Sequence, residues 1–213
     1  NIATIQNLTL FRKFLSLLAW RIGQLTNLSS LANDVGVDAK TIERWISILE
    51  ASYLIFQLQP YYKNYGKRVI KSSKIYFTDT GLVCRLLWVH SPQELRNHYL
   101  IWNLFENMVI GDIIKEINNN HTTEQVYFFR DSNHNEVDLI IDTTSYQIPI
   151  EIKSSSTFNQ KFLNWIRYRQ KNTQDDTHKK VDNGFIVYSG ETIDYGYDKI
   201  LHWTESSRVL KWK

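Results

Sequence analysis

Four side chains have the types and spacing for phosphodiester chemistry: Glu106, Asp138, Glu151 and Lys153. Asp138 sits in the run Glu136–Asp142 (EVDLIID), and Glu151 and Lys153 sit in Gln147–Lys153 (QIPIEIK). Side chains of a strand alternate between faces, so Glu136, Asp138 and Ile140 share one side. Glu151 and Lys153 likewise share a face, with Ile150 and Ile152 opposite. If the two runs pair as neighbours, Asp138 approaches Glu151 and Lys153. Two carboxylates brought close repel unless a cation intervenes, and hard oxygen ligands favour Mg²⁺ or Mn²⁺. A metal held by carboxylates activates water and neutralises charge developing on a phosphate, while a nearby ammonium supports the same transition state. Asp138 and Glu151 are therefore the expected metal ligands. Glu106 would complete the shell directly or through a water, and Lys153 would stabilise the phosphate or orient the attacking water.

Glu106 needs its own explanation. Residues Tyr99–Ile117 read as a helix that places Glu106 on a face with Trp102, Val109, Ile110 and Ile113. An unpaired carboxylate on an apolar stripe is costly. It must be protonated, paired, facing a cation, or at the edge of the stripe. Glu136 reads differently, because it falls opposite Arg130 across the turn Asp131–Asn135, where a cross-strand ion pair is expected. The reverse assignment, Arg130 holding a substrate phosphate, stays open.

The elements that must position these groups follow from the pattern. Gln125–Arg130 reads as a strand, before the two already described. Phe158–Arg169 is expected as an amphipathic helix with Phe158, Phe162, Trp165 and Ile166 inward and Gln160, Lys161, Arg167 and Arg169 outward. Gly184–Ser189 reads as another strand and Lys199–Trp203 as a short edge strand. Helix, three strands, helix, strand is a mixed α/β order.

The front half has another pattern. Residues 8–22 have helical apolar spacing ended by Gly23, and Asn27–Val35 reads as a short helix before Gly36. Asp38 caps a helix in which Ile42, Trp45, Ile46 and Leu49 recur at helical spacing. Two strands, Leu54–Pro60 and Val69–Phe77, then flank a basic, aromatic tip. Helix-turn-helix followed by a hairpin predicts a winged helix. Lys40, Thr41 and Arg44 on its second helix, with Lys63, Lys67, Arg68 and Lys71 on the wing, are candidates for phosphate contact. The other reading is a connector whose lysines solvate the surface. The expected domains are 1–85, a winged helix, and 86–213, the acidic α/β domain.

Composition excludes several classes. The 213 residues are 43% hydrophobic and 22% charged, as in ordinary globular proteins. Cys84 is the single cysteine, so no internal disulfide can form and a reducing, cytoplasmic setting is expected. No apolar run reaches the roughly 20 residues that cross a bilayer, so no membrane partner is expected. The chain starts at Asn1, which reads as a soluble fragment of something longer. Net charge is only +3, yet residues 1–80 carry ten Lys or Arg against five Asp or Glu. That asymmetry suggests a basic module ahead of a carboxylate-bearing one. No phosphate-binding or dinucleotide glycine motif occurs, and the six histidines share no metal spacing.

Several strings together resemble one family. They are Leu49-Glu50, Tyr53-Leu54, Pro60-Tyr61, Asn64, Lys67-Arg68, Lys74–Leu82 (KIYFTDTGL), Leu104–Asn107 (LFEN), Phe129-Arg130, Glu136–Asp138 (EVD) and Ile150–Lys153 (IEIK). The chain resembles the C-terminal region of prokaryotic AAA-type ATPases, a domain of unknown function related to PD-(D/E)XK nucleases. The resemblance implies a restriction-endonuclease-like sheet domain after a winged helix, and an ATPase domain ahead of Asn1 that would carry any ATP binding. Ile101-Trp102-Asn103 stand where that family usually has a Gly before the LFEN string. Asp79, in the Thr-Asp-Thr-Gly-Leu string, reads as a turn or cap residue. Two functions of different class follow. One is an Mg²⁺-dependent nuclease acting on DNA. The other is a catalytically silent DNA- or protein-binding module regulating the ATPase, with oligomerisation left open.

Overall fold

The computed structural model describes residues 7–61, 72–120, 124–131, 133–171, 180–181, 183–196 and 198–211. The chain divides into two compact units, Asn1–Leu58 with Ser72–Asn107, and Gln59–Lys71 with Met108–Lys213. The fold is mixed α/β, with N-terminal helices followed by a mixed sheet and flanking helices.

The first unit begins with three helices, α1 (Leu8–Ala19), α2 (Leu28–Val35) and α3 (Ala39–Ala51). Each has an N-cap side chain, Asn7, Asn27 and Asp38 in turn, whose oxygen accepts from a first-turn N–H, of Leu10, Ser30 and Thr41. Helix α1 stops at Ala19, short of the expected Ile22, although Ile22 is still buried. Gly36 ends α2 in the left-handed region at φ 92°, where glycine carries no Cβ penalty. Phe11 and Phe14 of α1 pack their rings on Trp45 of α3, tying the helices together. Strands β1 (Ile55–Pro60) and β2 (Lys74–Phe77) then pair antiparallel, Ile55 opposite Phe77. Three helices and a hairpin make the winged-helix order. The expected tip residues Lys63, Lys67, Arg68 and Lys71 lie outside the described residues.

Two short helices absent from the sequence reading follow, α4 (Thr80–Leu86) and α5 (Pro92–Asn97). Asp79 caps α4, its Oδ1 accepting from Gly81 and Leu82 N–H, as its turn position suggested. Ser91 caps α5 with Pro92 in the first turn, where a missing N–H costs nothing. Helix α6 (Ile101–Asn119) is the expected long helix, shifted two residues toward the C-terminus at each end.

In the second unit β3 (Gln125–Arg130), β4 (Glu136–Asp142) and β5 (Tyr146–Lys153) form an antiparallel meander. Gln59 and Pro60 add to β3 in parallel. A 3₁₀ turn (Gln160–Leu163) and α7 (Asn164–Lys171) replace the single helix expected over 158–169. Leu163 and Ile166 supply its buried side, with Phe158 and Phe162 packed against them. Trp165, expected inward, is 38% exposed, and Arg169, expected outward, is buried. The 3₁₀ turn winds more tightly than an α-helix, so the inward face is rotated from the one a continuous helix would give.

The short β6 (Lys180–Val181) joins the start of β5, and β7 (Phe185–Tyr188) runs parallel to its end. Strand β8 (Ile193–Tyr195) and strand β9 (Asp198–His202) complete the sheet. Strand β9 pairs with β7 on one side and β8 on the other, so the run read as an edge strand is internal. A final 3₁₀ segment, Trp203–Leu210, follows. No described helix is long and apolar enough to cross a membrane.

Candidate functional site

Strands β4 and β5 pair with Leu139 opposite Ile150 and Ile140 opposite Pro149. One step further along that register, Asp138 comes level with Glu151. Alternation puts Leu139, Ile150 and Ile152 into the core, while Asp138 and Lys153 stay half-buried and Glu151 is 2% exposed.

Within the second unit the structure brings Asp138, Glu151 and Lys153 together. The Lys153 ammonium lies 2.5 Å from Glu151 Oε1 and 3.7 Å from Asp138 Oδ2. Asp138 Oδ2 also accepts from the Ile152 N–H at 2.8 Å, which fixes the carboxylate against the neighbouring strand. Two carboxylates on adjacent strands thus meet one cation. That arrangement offsets their repulsion and the cost of burying Glu151. A pair of carboxylates is the donor set that suits Mg²⁺, which usually keeps several waters and takes one or two protein carboxylates. Among the described residues, no group of three or more His, Cys, Asp or Glu is arranged to hold a metal ion.

Glu106 finds its cation within the first unit. Its Oε1 accepts from the Lys74 ammonium at 3.2 Å and from the Tyr76 hydroxyl at 2.5 Å. Lys74 is 2% exposed and Glu106 is half-buried, so the pair is largely withdrawn from solvent. Of the fates open to a carboxylate on an apolar stripe, pairing is the one realised. Lys74 was missed by sequence reasoning, although its place in the run Lys-Ile-Tyr-Phe, buried throughout, signals a lysine that needs an acid.

The neighbouring Asn107 explains the rest of the LFEN string. Its side chain is buried and bonds the Phe77 N–H, the Phe77 carbonyl and the Thr80 hydroxyl. Asn103 Nδ2 donates to the Ile22 carbonyl. Three residues of one helix face, Asn103, Glu106 and Asn107, therefore hold α1's exit, β2 and α4 in place.

Arg130 and Glu136 form the expected cross-strand pair at 3.1 Å, and Arg130 Nη2 also reaches His134 Nδ1 at 3.0 Å. Lys40 and Arg44 are exposed on α3. Thr41 hydrogen-bonds Asp38 through its hydroxyl at 2.7 Å, which spends it on the helix cap. That bond also holds the Asp38 carboxyl below its usual range.

Two family models match the chain. One, a domain of unknown function (DUF8612), covers residues 1–93, and another (DUF4143) covers residues 103–206. The chain is also similar to the uncharacterized protein Rv2008c of Mycobacterium tuberculosis and to Mb2031c of Mycobacterium bovis. Each is 30% identical over 146 residues, 68% of this chain. The chain spans about a third of the length of these curated relatives, 32% in each case. No solved structure matches it.

Proposed function

We propose that the second unit is a metal-dependent phosphodiesterase acting on nucleic acid, with Asp138 and Glu151 as metal ligands and Lys153 as the phosphate-facing cation. The observation that carries this reading is the meeting of both carboxylates on the one ammonium of Lys153. Mg²⁺ or Mn²⁺ bound there would supply an activated water and neutralise charge on the phosphate. The protein's own part is positional. The Ile152 N–H holds Asp138 Oδ2 in place, and strand pairing fixes Glu151 beside it. Lys153 would turn from the carboxylates to a phosphate oxygen when the metal takes its place between them. DNA is the substrate class this reading favours, with an AAA-type ATPase region of the same polypeptide as its partner.

A second reading, a silent binding module regulating such an ATPase, has an observation of its own. Both acid groups already have a cation, Lys153 for the strand carboxylates and Lys74 for Glu106.

The test incubates the purified chain with single- and double-stranded DNA and RNA in Mg²⁺ or Mn²⁺. Cleavage is expected, with Asp138→Asn and Lys153→Met each lowering the rate about 10²–10³-fold. Calorimetry should show metal binding lost in Asp138→Asn. Absence of both cleavage and Asp138-sensitive metal binding would leave the silent module standing.

A further inference from the structure

Helix α4 ends in a hydrogen-bond pattern that ordinarily calls for glycine. The Val89 N–H donates to the Cys84 carbonyl at 2.9 Å and the Trp88 N–H to the Arg85 carbonyl at 3.3 Å. This double closure places the residue between them in the left-handed region, where glycine is usual. Here that residue is Trp88, at φ 61°. A bulky side chain there is strained, and burial cannot offset the strain, because Trp88 is 72% exposed. The sequence therefore spends stability to present an indole to solvent.

The indole borders a groove of about 570 Å³ within the first unit, lined by Arg12, Leu15, Ser16, Arg85, Leu86 and Trp88. Among the described residues, two guanidiniums and no carboxylate line it. The Arg85 guanidinium sits 5.9 Å from the Trp88 ring centroid and 3.3 Å from His90 Nδ1. Asp79 caps α4, and Glu94 accepts from the His90 N–H at 2.6 Å.

We propose that this groove docks single-stranded nucleic acid, one base stacking on Trp88 and the flanking phosphates meeting Arg12 and Arg85. Charge complementarity selects an anion, and the exposed indole, over which the Arg85 guanidinium already lies, selects one that carries flat rings. Base–aromatic stacking beside a positively charged groove is how single strands are held without sequence preference. A duplex keeps its base faces stacked on one another and offers the indole nothing. An acidic peptide would satisfy the arginines but leave the indole unused. Binding here does not require hydrolysis at Asp138 and Glu151.

The experiment measures anisotropy of a fluorescein-labelled single-stranded DNA 15-mer and of its duplex, in EDTA, so that metal chemistry at the strand carboxylates plays no part. Trp88→Gly should weaken single-strand binding about tenfold, with little change for duplex. The same variant should melt at the same or a higher temperature, which separates lost contact from lost folding. Arg12→Ala with Arg85→Ala should weaken binding and flatten its salt dependence. Unchanged single-strand affinity in Trp88→Gly overturns the proposal. So does displacement of the DNA by a polyglutamate peptide whose own binding depends on Trp88. Failure of cleavage in Mg²⁺ with this binding intact would count against the phosphodiesterase alone.

Discussion

Asn107 satisfies both backbone groups of Phe77, accepting from its N–H at 2.8 Å and donating to its carbonyl at 3.1 Å. The Thr78 N–H bonds the Leu54 carbonyl, so the adjacent Ile55–Phe77 pair is the non-hydrogen-bonded kind. The polar groups of Phe77 therefore face away from β1. A side-chain amide can answer both at once, its oxygen accepting and its NH₂ donating.

Replacing Asn107 with Ala should strand those two groups in a buried setting, at about 1–3 kcal/mol for each. The expected loss is about 2–6 kcal/mol, read from urea unfolding. Asn107→Asp should fare little better, since it keeps the acceptor but loses the donors to Phe77 and Thr80. A loss below about 0.5 kcal/mol would mean that water replaces the amide.

Lys74 and Glu106 form a pair whose separate halves are costly to leave alone. Lys74→Met should destabilise by about 3–5 kcal/mol, because the Glu106 carboxylate loses its buried cation. Lys74→Met combined with Glu106→Leu should recover most of that loss, since two apolar side chains no longer need each other. A double-mutant cycle by chemical denaturation measures the coupling. Strictly additive losses would show that the pair is not the reason for the lysine.

Much of this was legible beforehand. The pairing of β4 with β5 follows from two strand-like runs, alternating around Asp138 and Glu151, joined by a short polar turn, which brings Asp138, Glu151 and Lys153 together. The Arg130–Glu136 pair was readable for the same reason, since a hairpin fixes its own register. What escaped depended on distant partners. Glu106 lies thirty positions along the chain from Tyr76, and nothing in helical spacing names a lysine on a strand. Helix α4 was hidden because its capping Asp79 and Gly81 look like a turn. Arg169 was placed outside because a basic helix face is normally solvated, whereas here Gln147 and two rings receive it.

Asp131 should give the fold an acid-sensitive element. Burial raises its pKa, but hydrogen bonds from the Tyr168 hydroxyl, Asn135 and Asn133 outweigh that and hold the carboxyl below its usual 3.8. Its Oδ2 accepts from Tyr168 at 2.8 Å, which ties the β3–β4 turn to α7. A depressed carboxylate pKa adds stability that is present above the unfolded value and lost as pH falls through the folded one. Wild type should therefore melt above Asp131→Asn at pH 6, and the two curves should converge as pH drops below about 4. A gap that does not narrow as pH falls through the acid range would assign the effect to something other than ionisation.

Arg169 is the sharpest case of a cation held for its shape. Its guanidinium lies 4.7 Å from the Phe129 ring centroid and 4.9 Å from that of Tyr61, and Nη2 donates to Gln147 Oε1 at 2.9 Å. Gln147 in turn donates to the Tyr61 hydroxyl and to Asp142. Burial lowers the Arg169 pKa, with Tyr61 and Asp142 working the other way. A planar guanidinium can stack between two rings, whereas a compact ammonium cannot, so Arg169→Lys is not conservative here. It should destabilise by about 2–4 kcal/mol, since the buried charge remains while the stacking goes. Arg169→Met keeps the contact with both rings and removes the charge. Its main loss is the donor to Gln147, about 1–2 kcal/mol. Calorimetry should therefore rank the melting temperatures wild type, then Met, then Lys. Lys above Met would mean that charge, rather than the stacked plane, is what this site requires.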